Sequence, residues 1–257
     1  MRKIVDFSCA GEQLVGTLDV ADSATGLLIV SGGNEIRAGA HRGMARLARL
    51  VAERGHPVFR FDRRGVGDSS GANGGYRSTR PDIDAALTTF RHYAPRVKRI
   101  IGFGICDAAT ALALFGDRID RLVLANPWLH DDGDGLPNAE AIKARYAQKL
   151  REPGTWARAL TGGIKFGGLA KGVAKMATGG SARDADLEHG LFDTLRRRGD
   201  SLIAIADGDA TALTFLAAAE RVGFDSGIRL IETDSHSFAR PSDEAALLAI
   251  IEEALVD

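Results

Sequence analysis

Two cysteines in 257 residues, Cys9 and Cys106, are too few for a disulfide framework. Free thiols fit a reducing compartment, and Cys9 reads as a small apolar side chain in a strand. Charge of one sign is missing too. Lys and Arg number 33 against 34 Asp and Glu, a net charge of −1, which removes the electrostatic case for a nucleic-acid partner. No apolar run approaches the roughly 20 residues needed to span a bilayer, so stable membrane insertion is not expected. The opening Met1-Arg2-Lys3-Ile4-Val5-Asp6 turns polar too soon for a secretory signal, and the expected location is cytoplasmic. His130, His189, Asp131, Asp132 and Asp134 lack metal-ligand spacing, so neither a metal nor another cofactor is expected. No internal repeat or low-complexity tract stands out.

What is present is a hydrophobic content of 45%, enough for one large core at this length. Strand-like segments alternate with amphipathic helical ones, which predicts an α/β fold: a mainly parallel central sheet with helices on both faces. Ile4–Cys9 and Gln13–Val20 read as an opening antiparallel pair. Gly26–Ser31, Pro57–Phe61, Arg99–Phe103 and Arg121–Ala125 read as strands. Helices are expected near His41–Arg54, Asp82–Tyr93 and Asp107–Phe115. The alternation then breaks, with helical pieces at Asn138–Leu150 and Thr155–Thr161 between Gly-rich turns. It resumes with strands at Ser201–Ala206 and Ile228–Ile231 and a helix at Ser242–Leu255. The core therefore reads as residues 1–126 and 199–257, with residues 127–198 inserted as a helical lid.

One junction points to chemistry. In Ile100-Ile101-Gly102-Phe103-Gly104-Ile105-Cys106-Asp107-Ala108-Ala109 an apolar strand meets a Gly-x-Cys-x-Ala turn, and a helix starts at once. This is the layout of a nucleophile elbow, where small residues such as Gly104 and Ala108 let helix and strand approach. Cys106 would sit at a helix N-terminus, whose free N–H groups and dipole favour a thiolate. In the α/β-hydrolase fold the nucleophile is followed in chain order by an acid and a histidine. His236 lies just beyond the strand Ile228–Ile231, where the base is expected. Asp207-Gly208-Asp209 follows the preceding strand; Asp209 is the favoured acid, with Asp207 in reserve and Asp234 read as a turn residue.

The remaining pieces follow from that chemistry. A tetrahedral oxyanion needs two preorganised donors. The backbone N–H of Asp107 supplies one, and the loop Ser31-Gly32-Gly33-Asn34-Glu35 supplies the other through Gly33 or Asn34. Arg37, His41 and Arg42 either gather an anionic substrate or cap a helix and pair with local carboxylates. The run Phe61-Asp62-Arg63-Arg64-Gly65-Val66-Gly67-Asp68-Ser69 lacks P-loop and dinucleotide-binding spacing, and reads as a tight turn braced by Asp62 and Arg64.

Several of these segments together resemble the exosortase A system-associated hydrolases. They are Gly32 to Arg42 with its Arg-x-Gly-Ala-His-Arg stretch, Phe61 to Ser69, Gly104 to Ala109, Asp209-Ala210-Thr211-Ala212 and Ser235-His236-Ser237-Phe238. The likeness spans nearly the whole chain and implies a bacterial α/β-hydrolase of exopolysaccharide and protein-sorting gene clusters, with Cys106, Asp209 and His236 as its triad. Gly33-Asn34-Glu35 departs from it, standing where a Gly-Pro-Gln-like loop is expected.

The activity expected is hydrolysis of a carboxylic ester or thioester through an acyl-cysteine, on a small-molecule, lipid or saccharide acyl substrate. Acyl transfer to a sugar, lipid or protein acceptor is the alternative reading. A non-catalytic binding module on the same fold is the third.

Overall fold

The computed structural model describes residues 1–129 and 182–256. Within them eight strands form one sheet, in the order β1-β2-β4-β3-β5-β6-β7-β8. The first two, β1 (Arg2–Cys9) and β2 (Glu12–Asp19), pair antiparallel with Cys9 opposite Glu12. The link is the two-residue turn Ala10-Gly11, whose φ values of 51° and 86° match the right-handed strand twist. β2 also runs antiparallel to β4 (Val58–Phe61). From there the sheet is parallel through β3 (Thr25–Val30), β5 (Arg99–Ile105), β6 (Arg121–Ala125), β7 (Leu202–Ala206) and β8 (Ile228–Ile231).

Six helices cover the two faces among the described residues. On one side lie α1 (Gly43–Glu53) and α6 (Pro241–Val256), burying Leu47, Val51, Leu247 and Ile251 against Leu27, Ile29, Ile101 and Phe103. On the other lie α2 (Arg80–Tyr93), α3 (Asp107–Phe115), α4 (Ala182–Arg198) and α5 (Ala210–Arg221), packed on Leu28, Val30, Leu124 and Ile205. The period-two alternation of a strand explains the split: Leu27 and Ile29 face one layer, Leu28 and Val30 the other.

The lid reading covers residues 127–198, of which 130–181 lie outside the described residues. Its last part is α4, whose Leu191, Phe192 and Leu195 belong to the same buried cluster as α3 and α5. Phe192 sits 5.3 Å from Phe215 of α5, ring centre to ring centre. α5 is an element that the expected pattern lacked.

Candidate active site

β5 shows why the chain turns where it does. Ile101, Phe103 and Ile105 fill one face of the sheet; on the other face Gly104 leaves room for α3 and Gly102 for Ile119 and Leu122. A Cβ on Gly104 would come within 2.9 Å of the Ala108 backbone, closer than packing allows. Cys106 follows at φ 61°, ψ −127°, a conformation that L-residues rarely adopt, and α3 starts at the next residue. Surrounding bonds hold the turn: the Cys106 N–H donates to Ala125 O at 2.9 Å, and the Ala109 N–H donates to Cys106 O at 3.1 Å. The thiol is partly exposed, whereas Cys9 is buried.

The acid and base arrive on the loops after β7 and β8. Asp209 is the N-cap of α5, and its Oδ2 accepts from the amides of Thr211 and Ala212 at 3.0 and 3.1 Å. The same oxygen lies 3.0 Å from His236 Nδ1. Burial works against the Asp209 carboxylate, but His236 and the two capping amides win and hold its pKa below the ordinary value. Burial likewise lowers the His236 pKa. Hydrogen bonds to Asp209 and Cys106, with the charges of both, overcome it and push that pKa up to about 10. His236 thus pairs directly with Asp209, and Cys106 acts on it as one of the groups that raise its pKa.

Asp207 does a different job. Its Oδ1 accepts the Thr233 N–H at 3.1 Å and braces the loop that carries the histidine. Asp234 faces solvent and pairs with Arg240 at 2.5 Å.

The oxyanion loop departs from expectation at Gly33. Its amide donates to Asp107 Oδ1 at 2.5 Å, so the carboxylate beside the nucleophile already occupies that donor. Asp107 is held there by Arg63, whose Nη2 donates to Asp107 Oδ2 at 3.2 Å and also to the Gly33 carbonyl. Arg63 is buried, with its other arm 3.3 Å from Thr79 Oγ1. The elbow and the oxyanion loop are therefore tied through one cation, which went unread in the sequence. Gly32 is required by the close approach: a Cβ there would stand 2.6 Å from Ile105 O and 2.8 Å from Asp107 Oδ1. Among the described residues the Asn34 amide makes no hydrogen bond, and the Asn34 side chain accepts from Asn73 Nδ2 at 2.7 Å.

Of the three residues considered either for an anionic substrate or for local pairing, Arg37 takes the second role. Its guanidinium donates to fully buried Asp62, to Asp68 Oδ2 at 2.9 Å and to Thr17 Oγ1 at 3.1 Å, so its charge is matched within the fold. His41 and Arg42 are exposed, and among the described residues neither side chain forms an ion pair. The Asp62–Ser69 run is the expected tight turn: Asp62 also accepts the Asp68 N–H at 3.1 Å, and Arg64 Nε donates to Asp82 at 2.5 Å. No group of three or more His, Cys, Asp or Glu among the described residues could hold a metal ion. No described helix is long and apolar enough to cross a membrane.

No family model matches the sequence, and no curated protein matches it either. Solved structures do match in shape. An esterase of Pyrococcus furiosus, Pf2001, superposes with a TM-score of 0.62 at 15% identity, covering 98% of this chain and 92% of that one. DcsB, solved in complex with its substrate analogue, gives 0.62 at 17% identity with 100% of both chains covered. XC6422 of Xanthomonas campestris, an α/β serine hydrolase described as having no lid, gives 0.60 at 15% identity over 100% and 96%. At these identities the likeness establishes the fold, and the chain has the α/β-hydrolase fold.

Proposed function

We propose that the chain hydrolyses a carboxylic ester or thioester through a covalent acyl intermediate on Cys106. What supports this reading is the Asp209–His236 pair at 3.0 Å, on the loops after β7 and β8, together with Cys106 at a strand–helix elbow. Attack by the Cys106 thiolate on the substrate carbonyl carbon gives a tetrahedral oxyanion. Its collapse breaks the bond to the leaving group, which takes the proton from the His236 imidazolium. Water then attacks the thioester carbonyl while His236 accepts its proton. Collapse of that second intermediate releases the acid and restores the imidazolium–thiolate pair. Asp209 orients the ring and favours its charged form throughout.

The oxyanion is met by the Asp107 amide at the start of α3, where the helix dipole adds to the field. We assign the second donor to the Asn34 amide. The Gly33 amide faces the Asp107 carboxylate, and a second anion at the same donor would be repelled. A thiolate expels alkoxides and thiolates more readily than amines, so esters and thioesters are the favoured substrates. Association with exosortase systems belongs to the same proposal and rests on the resemblance of the segments quoted above. Free Cys9 and Cys106 suit a reducing compartment, so we site the activity in the cytoplasm.

The test is pre-steady-state kinetics with an activated short-chain ester. A burst of leaving group, one equivalent per active site and abolished in Cys106→Ala, is expected. Unchanged turnover in that variant overturns the proposal. Partitioning toward an added alcohol or amine over water would turn the reading to acyl transfer.

A further inference from the structure

Strands β6 and β7 pair as far as Ala125 opposite Ala204. Asn126 follows directly. Its backbone N–H donates to Ala204 O at 3.0 Å, and its side chain then takes over from the ladder. Asn126 Oδ1 accepts the Ala206 N–H at 2.9 Å, and Nδ2 donates to the His236 carbonyl at 3.1 Å. The residue is fully buried and has a left-handed backbone, φ 44°, which asparagine tolerates better than most side chains. Ala206 in turn fixes the acid's loop, because its carbonyl accepts the Asp209 N–H at 3.0 Å.

We infer that Asn126 is a positioning residue: its carboxamide sets the distance between the loop that carries Asp209 and the loop that carries His236. The inference rests on the proposed hydrolase reading. His236 is then held at two points, its ring by Asp209 and its backbone by Asn126. Only a side chain with an acceptor at one end and a donor at the other satisfies both loops. Aspartate keeps the acceptor and loses the donor, so a carboxylate oxygen would face the His236 carbonyl. Leucine has the volume and neither bond. Loss of the tether lets the imidazole drift from Cys106 without touching the surfaces that bind substrate.

The experiment compares Asn126→Asp and Asn126→Leu with the unaltered full chain, using an activated short-chain ester and iodoacetamide. A fall in kcat of about tenfold to a hundredfold is expected, with KM changed by no more than about twofold. Alkylation of Cys106 near neutral pH should slow in both variants, toward the rate in His236→Ala. Ile203→Val, a packing change in the core of neighbouring β7, serves as the structural control and should lower Tm while leaving kcat and alkylation alone. If Asn126→Leu does not fold, Asn126→Asp carries the comparison, since it keeps the shape and the Ala206 bond. Unchanged kcat and alkylation in Asn126→Asp would overturn the inference. So would an equal kinetic effect in Ile203→Val. Retained turnover in Cys106→Ala would instead overturn the hydrolase reading, and the alkylation comparison would still decide whether Asn126 sets the His236–Cys106 pair.

Discussion

One oxygen of Asp209, Oδ2, lies 3.0 Å from His236 Nδ1 while accepting the first amides of α5. The acid is thereby oriented by a helix before it orients the base. Asp209→Asn should separate the two duties. An asparagine still caps α5, so the helix end should hold while the stability contributed by the charged pair is lost, and kcat should fall by about a hundredfold or more because the imidazolium loses its counter-charge. Asp209→Ala should lose the cap as well, at about 1 kcal/mol. Thermal unfolding alongside ester hydrolysis checks both; equal kcat in the unaltered protein and Asp209→Asn would remove Asp209 from the mechanism.

The His236 ring should remain protonated far above the range of an ordinary histidine, to about pH 10. An unfolded chain releases that proton near pH 6.5. The raised value means that the charged pair adds to stability fully below about pH 6.5, and that this contribution drains away as pH climbs toward 10. Titration of the ring by NMR should show the raised midpoint, and Asp209→Asn or Cys106→Ser should each move it down. A midpoint near 6.5 in the unaltered protein would contradict the pairing.

Arg63 and Asp107 form a nearly water-free ion pair across the elbow and the oxyanion loop, with side-chain exposures of 3% and 15%. Removing one partner leaves a buried charge uncompensated. Asp107→Ala and Arg63→Leu should each cost about 3 kcal/mol or more, and the double variant should cost well under their sum. Denaturant unfolding of the three variants measures the coupling. Additive losses would show that the two side chains stabilise the fold independently.

The two cysteines should differ in reactivity. Burial pushes the Cys9 pKa up to about 11, helped by its hydrogen bond to Asp82 and by the charge of that carboxylate. Cys9 should resist iodoacetamide in the native protein. Cys106, partly exposed at the start of α3, should be the cysteine that alkylates first. Peptide mapping after brief alkylation distinguishes the sites; faster modification of Cys9 would make Cys106 a packing residue.

The legible parts of this chain were those set by local pattern. The strand Arg121–Ala125 and the helix Asp107–Phe115 stand where the sequence places them, because apolar alternation and a glycine pair on one face of β5 require them. Helix α5 was missed although its signal is present: Asp209 precedes an apolar spacing at Ala212, Phe215, Ala218 and Ala219, the pattern of a capped amphipathic helix. Reading Asp209 as an acid hid its second role as a cap. Arg63 and Asn126 left no such trace. Arg63 ties Gly33 to Asp107, and Asn126 joins Ala206 to His236, across separations of 30 to 110 residues. Such side chains gain their meaning only when the sheet has brought distant loops together. The choice between the two readings of Arg37 was open for the same reason, since its partner Asp62 lies 25 residues away.

The most direct test is mass spectrometry of the Cys106 peptide, taken after acid quench of a reaction with an activated short-chain ester. A covalent intermediate predicts an added acyl mass on that peptide alone, removed by hydroxylamine as a thioester is, and accumulating in His236→Ala if deacylation slows more than acylation. An active protein that yields only the unmodified Cys106 peptide at every quench time, with turnover intact in Cys106→Ala, would contradict the account.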